Sequence, residues 1–129
     1  MDYAIDEKLR YAKTHEWVRV EGAEAVIGIS DYAQNHLSDV VFVELPAVGK
    51  ELNAGTACMV IESVKAAEEV FGPVSGAVTS RNEKLEKSPE LVNKDPYGEG
   101  WLVRVKLGNP AELDGLMDAA AYRAFLQTL

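Results

Sequence analysis

Apolar and polar residues alternate in short runs along most of this chain, and a period of two is the signature of strands with one buried face. Glu16-Trp17-Val18-Arg19-Val20 alternates, meets the turn Glu21-Gly22-Ala23-Glu24, and is answered by Ala25-Val26-Ile27-Gly28-Ile29, which predicts a hairpin. Val40-Val41-Phe42-Val43-Glu44-Leu45 is almost wholly apolar, so it reads as a strand buried on both faces that ends at Pro46. Thr56-Ala57-Cys58-Met59-Val60-Ile61 and Glu69-Val70-Phe71, stopped by Gly72-Pro73, form a second predicted hairpin. Trp101-Leu102-Val103-Arg104-Val105-Lys106 is the last alternating strand.

Helical signals are few. Ser30 can cap a short helix through Leu37, with Asp31 at the positive end of its dipole and Tyr32, Ala33 and Leu37 on an apolar side. The stretch between Asn82 and Gly100 is polar and irregular, with Ser88-Pro89-Glu90 read as the cap and first turn of another short helix. Asn109 and Pro110 open a C-terminal helical segment in which Leu113, Leu116, Met117, Tyr122, Phe125 and Leu126 fall at helical spacing, as they would to pack on the sheets. Val43, Pro46 and Gly49 recur as Val70, Pro73 and Gly76, each time as a strand running through Pro-x-x-Gly into another strand. Two such units imply a pseudo-twofold sandwich of two sheets, with Gly49, Gly55 and Gly76 permitting the sharp turns.

Composition narrows the function. A chain of 129 residues, 47% hydrophobic and 26% charged, is expected to be one domain spanning 1–129. Its apolar runs are far shorter than the ~20 residues that cross a bilayer, so no membrane role is expected. Acidic residues number 21 against 13 basic, and the net charge of -8 repels phosphate backbones; no nucleic-acid partner is expected. The lone Cys58 reads as a small buried hydrophobe in a strand, consistent with a reducing compartment. The start Met1-Asp2-Tyr3-Ala4-Ile5-Asp6-Glu7 has neither a signal core nor transit-peptide character, so a bacterial or archaeal cytoplasm is the expected location.

The candidate chemistry sits in the second hairpin. Glu62-Ser63-Val64-Lys65-Ala66-Ala67 breaks the apolar pattern and puts Lys65 at the tip, where Ser63 favours a turn and Ala66 adds little bulk. A lysine at a turn is ordinarily a solvated charge; here it is also a handle that an enzyme could approach from several sides. An enzymatic alternative would use Cys58 as nucleophile with His15 or His36 as base, but a nucleophile needs an accessible thiolate and a paired base.

Taken together, Thr14-His15-Glu16-Trp17, Gly28-Ile29-Ser30, Val41-Phe42-Val43-Glu44-Leu45-Pro46 and Glu62-Ser63-Val64-Lys65-Ala66 resemble the glycine cleavage system H proteins. Pro73-Val74-Ser75-Gly76 and the pair Pro96-Tyr97 before Gly100-Trp101 continue the likeness in order, over nearly the whole chain. The resemblance implies a mainly β fold, a barrel-sandwich hybrid of two small antiparallel sheets of the lipoyl and biotinyl carrier type, with short helices and a C-terminal helical segment. It implies a carrier rather than an enzyme. Lipoic acid would be joined by an amide to Lys65, and the arm would visit a pyridoxal-phosphate glycine decarboxylase, a folate-dependent aminomethyltransferase and a flavin dihydrolipoyl dehydrogenase. A lipoate ligase or transferase would attach it, recognising Glu62 and Ala66 beside the lysine, and the carrier is expected to act as a monomer.

The resemblance also places Thr14 and Glu16 near the folded-back arm, with Glu69 contributing from the hairpin side. Glu16 is the first candidate to hold a cationic amine cargo, because a carboxylate in a groove gives a charge-assisted hydrogen bond. Biotin carriers have methionines beside the lysine where this chain has Val64 and Ala66. Lipoyl domains of 2-oxo acid dehydrogenases lack the Thr-His-Glu-Trp hairpin and the C-terminal helices. Such a lipoyl domain of another complex, or a paralogue that relays lipoate, remains the alternative reading.

Overall fold

The computed structural model describes residues 3–129, so Met1 and Asp2 of the N-terminal stretch read above lie outside it. The strands are β1 (Arg10–Tyr11), β2 (Glu16–Glu21), β3 (Glu24–Ile29), β4 (Val40–Glu44), β5 (Glu51–Leu52), β6 (Ala57–Ser63), β7 (Ala67–Phe71), β8 (Gly76–Arg81) and β9 (Val103–Leu107). They build a six-stranded sheet in the order β1-β2-β3-β9-β8-β5 and a three-stranded sheet in the order β4-β6-β7. Every strand pair is antiparallel and neither sheet is closed. The expected two-sheet sandwich is therefore observed. Its larger core lies between the sheets, where Val18, Ala25, Ile27, Val78 and Val105 of one meet Val43, Met59, Ile61 and Val70 of the other.

The repeated Pro-x-x-Gly units also take their expected places. β4 and β7 flank β6 in the small sheet, and each runs through its turn into β5 or β8, which pair with one another in the large sheet. Gly49 and Gly55 hold φ of +94° and +80°, left-handed values that side chains resist.

A second apolar cluster covers the other face of the large sheet. Along β2 and β3 the period of two sends Val18, Ala25 and Ile27 inward and Trp17 and Val26 outward, where Leu9, Tyr11, Ala119 and Tyr122 close over them. Trp17 opposes Gly28 across the hairpin, and its indole lies against the glycine: a Cβ there would sit 2.5 Å from the ring. The indole Nε1 donates to Pro96 O at 3.0 Å.

Three local readings are corrected. β4 is not buried on both faces: Val41 and Phe42 are 53% and 50% exposed. A bulge between Val40 and Phe42 sets two β4 residues against one of β6, and so turns consecutive apolar side chains to solvent while Val40 and Val43 stay inside. Strand β3 is the one covered on both faces. Second, the polar segment holds two helices, α2 (Lys84–Lys87) and α3 (Leu91–Lys94), and Ser88 is the N-cap of neither; it is the C-cap of α2, its amide donating to Lys84 O at 2.9 Å. Asn93 of α3 explains why this segment is ordered, since its amide donates to Ser38 O at 2.7 Å and its Oδ1 accepts from Val40 N at 2.9 Å, pinning the start of β4. Third, the C-terminal segment is not one helix. A 3-10 helix (Pro110–Gly115), capped by Asn109, is separated from the C-terminal helix α4 (Ala119–Leu126) by Met117, which exchanges two backbone hydrogen bonds with Tyr11.

Helix α1 (Asp31–Leu37) forms as expected, with Ser30 Oγ accepting from Ala33 N at 3.2 Å. Among the described residues no helix is long and apolar enough to cross a membrane.

Candidate functional site

Lys65 stands at the tip of the β6-β7 hairpin and is exposed. The turn is held by Ser63, whose amide donates to Ala66 O at 2.7 Å and whose Oγ accepts from the amides of Lys65 and Ala66 at 3.3 and 3.2 Å. These bonds fix the backbone and leave the lysine side chain outside. Among the described residues no carboxylate pairs with Lys65. Glu62 and Ala66 flank it and are exposed as well.

Further down the hairpin, a groove of about 250 Å³ opens between the small sheet and the β1-β2 turn. Ile61, Glu68 and Val70 form one wall, α1 supplies Tyr32 and His36, and Thr14, His15 and Glu16 form the far side. Ile61 pairs with Glu68, three rungs from the tip, so Lys65 lies roughly 10 Å beyond this wall at ~3.3 Å per residue.

Glu16 is 2% exposed, an unusual place for a carboxyl. Its oxygens accept from the Thr14 hydroxyl and from Phe71 N at 3.1 Å, so it ties the β2 start to the end of β7. Burial pushes its pKa up to about 7, against these two hydrogen bonds, which pull it down. The group is thus poised to lose its proton when a cation enters the groove.

The turn that delivers Glu16 is strained at His15, whose φ is 77°. The strain is held by a network: His15 O accepts from Ser30 N at 2.9 Å, and His15 Nδ1 lies 2.8 Å from the Tyr122 hydroxyl, itself 2.7 Å from Ser30 Oγ. Burial lowers the His15 pKa, with the neighbouring His36 a smaller cause. Burial likewise raises the Tyr122 pKa, which keeps its phenol protonated. The rings of His15, Tyr32 and His36 line up at centroid distances of 4.4 and 4.1 Å to make an aromatic wall.

The structure brings Thr14 and Glu16 together at the groove. Glu69 stands differently. It pairs with Val60, and by alternation its side chain lies on the opposite face of the hairpin from Glu68, so Glu68 is the hairpin carboxylate on the groove face. Glu69 contributes to the groove rim and to a second hollow of about 180 Å³ lined by Glu44, Lys50, Cys58 and Val60. Sequence reasoning missed Glu68, Tyr32 and His36 as groove residues; the i, i+4 spacing of Tyr32 and His36 on a capped helix was the available signal.

Cys58 is half-buried rather than buried, its Sγ donating to Val70 O at 3.6 Å. Burial pushes its thiol up to about 11. It lines the second hollow while both histidines line the first, so no thiol and base are paired.

The family model described as glycine cleavage H-protein matches residues 9–129. A glycine cleavage system H protein of Symbiobacterium thermophilum is 57% identical over 121 residues, covering 94% of each chain. One from Xanthobacter autotrophicus is 58% identical over 121 residues, covering 94% of this chain and 97% of its own. Among solved structures, the glycine cleavage system H protein of Mycobacterium marinum superposes with a TM-score of 0.84 at 32% identity, covering 97% of this chain and all of that one. With a matching family model, a matching fold and relatives of this identity, the chain belongs to the glycine cleavage H-protein family, lipoate-carrying shuttles of glycine breakdown and not catalysts.

Proposed function

We propose that Lys65 is the residue that carries lipoate, as an amide on Nζ, and that the groove beneath it shelters the loaded end of the arm. The whole chain would act as one carrier domain in the cytoplasm. Its partners would be a pyridoxal-phosphate glycine decarboxylase, a folate-dependent aminomethyltransferase, a flavin dihydrolipoyl dehydrogenase and the enzyme that attaches lipoate. The observation that carries the reading is an exposed, unpaired lysine on a stapled turn, above an apolar groove that ends in a buried carboxyl.

Lipoate, once bound, would supply a cyclic disulfide that opens and recloses by thiol-disulfide exchange, so that one group can carry both an aminomethyl unit and two electrons. The residues of this chain do the rest. Ser63 holds the turn on which Lys65 is exposed. Ile61, Val70 and the Tyr32 ring exclude water from the groove, which protects a hydrolysable cargo. Glu16, with its pKa near 7, gives up its proton to the medium as a cationic amine approaches and then accepts its hydrogen bond. Thr14 orients that carboxyl through its hydroxyl, and Glu68 adds negative charge at the groove face. Glu62 and Ala66 serve recognition by the attaching enzyme, Glu62 by its charge and Ala66 by leaving room beside the lysine.

Intact-mass measurement on protein from lipoate-replete cells tests the assignment. The wild type should gain one lipoyl increment and Lys65→Arg none. An increment that survives in Lys65→Arg, or a wild type without one, overturns it.

A further inference from the structure

Among the described residues six large apolar side chains are strongly exposed, and three of them, Val41, Phe42 and Val64, gather beside the lysine tip. Scattered exposed apolar residues are ordinary; a contiguous group has a cause. Here the cause is structural. The β4 bulge sets Val41 and Phe42 together against Glu62, and Val64 N donates to Asp39 O at 3.0 Å, which draws the tip onto the start of β4. Phe42 and Glu62 are partners across β4 and β6 and so share a face of the sheet, and Val64, in the turn just past the end of β6, is 66% exposed. The result is an apolar ledge on the open side of the hairpin, away from the groove. Exposed carboxylates of Asp39, Glu44, Glu62 and Glu69 surround it, with Lys65 at one end and Lys50 at the far end.

We propose that this ledge is the docking surface for the enzyme that acylates Lys65, which would meet it with an apolar patch bordered by Lys and Arg. The inference rests on the assignment of Lys65 as the modified residue. Reach selects the occupant. An enzyme that works on the far end of an attached arm acts at a distance from the hairpin and needs little of its surface. The enzyme that makes the amide must bring an acyl carbon onto Nζ itself. The turn offers only the four residues from Ser63 to Ala66 beyond the last rung of the hairpin, Glu62 with Ala67, so that enzyme must lie against this rung and the β4 partner of Glu62, Phe42. For a ligase using lipoate and ATP, Nζ attacks the carbonyl carbon of lipoyl-adenylate. The N–C bond forms, the C–O bond to the phosphate breaks, AMP leaves with the electron pair, and the former ammonium releases two protons. Charge favours a basic partner over a second copy of this chain, because a symmetric contact would set the ring of carboxylates against itself on a molecule of net charge -8.

The test uses the unlipoylated full chain, purified lipoate ligase, lipoate and Mg-ATP, with acylation followed by intact mass. Phe42→Ser should raise the KM for the protein acceptor about tenfold, the scale of losing a central apolar anchor, with kcat little changed. Val41→Ser should shift it in the same direction by less, and Val20→Ser, an equally exposed apolar residue on β2, should leave it unchanged. Circular dichroism and the melting temperature check the fold, and Val64→Ser replaces Phe42→Ser should the latter not fold. An unchanged KM in the folded ledge variants overturns the proposal. So does a wild-type dimer in sedimentation that Phe42→Ser dissolves, which would make a second copy the occupant. A normal acylation rate with impaired loading by glycine decarboxylase would assign the ledge to that enzyme instead. A wild type that gains no lipoyl mass at all overturns both this and the Lys65 assignment, a result distinct from equal KM values.

Discussion

The two sides of the lysine hairpin are built from the same pair of strands and have opposite physics. On the groove side Ile61 and Val70 are 0% and 3% exposed, and the carboxyl they face, Glu16, is buried with its pKa pushed up to about 7. On the open side Phe42 and Val64 are 50% and 66% exposed and the carboxylates are solvated. Glu68 and Glu69 make the contrast plain: neighbours of identical chemistry, they fall on different sides because strand side chains alternate. A slip of one residue in the β6-β7 register would exchange them. The difference teaches that one hairpin can bury one face and leave the other open, so that the two tasks proposed for them would fall on different residues.

Truncating one buried and one exposed side chain tests that contrast most strongly. Ile61→Ala removes a fully buried branched side chain and should cost about 2–5 kcal/mol in denaturant unfolding, whereas Phe42→Ser should cost less than about 1 kcal/mol. Equal costs would mean the open side is packed in solution.

Two glutamates sharpen it next. A carboxyl near 4.5 in the unfolded chain and near 7 in the fold binds more protons when folded, so stability is fully present below about 4.5 and falls as pH rises toward 7. The loss should reach about 3 kcal/mol at most, follow Glu16, and disappear in Glu16→Gln. Glu69→Gln leaves the Glu16 carboxyl in place, and the loss that follows Glu16 should persist in that variant. A profile that is flat in the wild type, or flattened by Glu69→Gln, breaks the distinction. On the loaded protein, Glu16→Gln should also release ammonia faster than wild type.

The smallest expected effect concerns the support behind the groove. Tyr122→Phe removes the hydroxyl that joins His15 to Ser30 and should cost about 1 kcal/mol. Two-dimensional NMR should place the chemical-shift changes at Thr14, His15 and Glu16 and leave the ledge residues still. Shifts that spread equally to both sides would show that the two faces are coupled.

Much of this was legible in the chain. The β2-β3 and β6-β7 hairpins follow from alternation and turn residues, the α1 cap from Ser30, and the lysine tip from a polar break between two apolar runs. The readings that failed share a cause. Val41 and Phe42 are apolar, and composition alone sends apolar residues inward; a bulge is a mismatch in count between partner strands and is visible only once the partner is known. The helix expected at Ser88 shifted because Pro89 and Glu90 are used as the turn between two short helices. The C-terminal segment broke at Met117 because pairing with Tyr11 satisfies backbone groups that a continuous helix would have bonded internally. Glu16 is the first candidate for the groove on sequence, but the extent of its burial could not be known from its own strand.

By itself the order of residues determined the strand periods, the caps, the exposed lysine and membership in a carrier family, because each rests on neighbours in sequence or on a shared pattern of motifs. Only the tertiary structure decided which glutamate of a pair faces the groove, that Glu16 is buried enough to titrate near neutrality, and that β4 turns two apolar side chains outward beside the tip. Those properties depend on register, on desolvation by distant segments and on a bulge, and each arises between strands rather than within one.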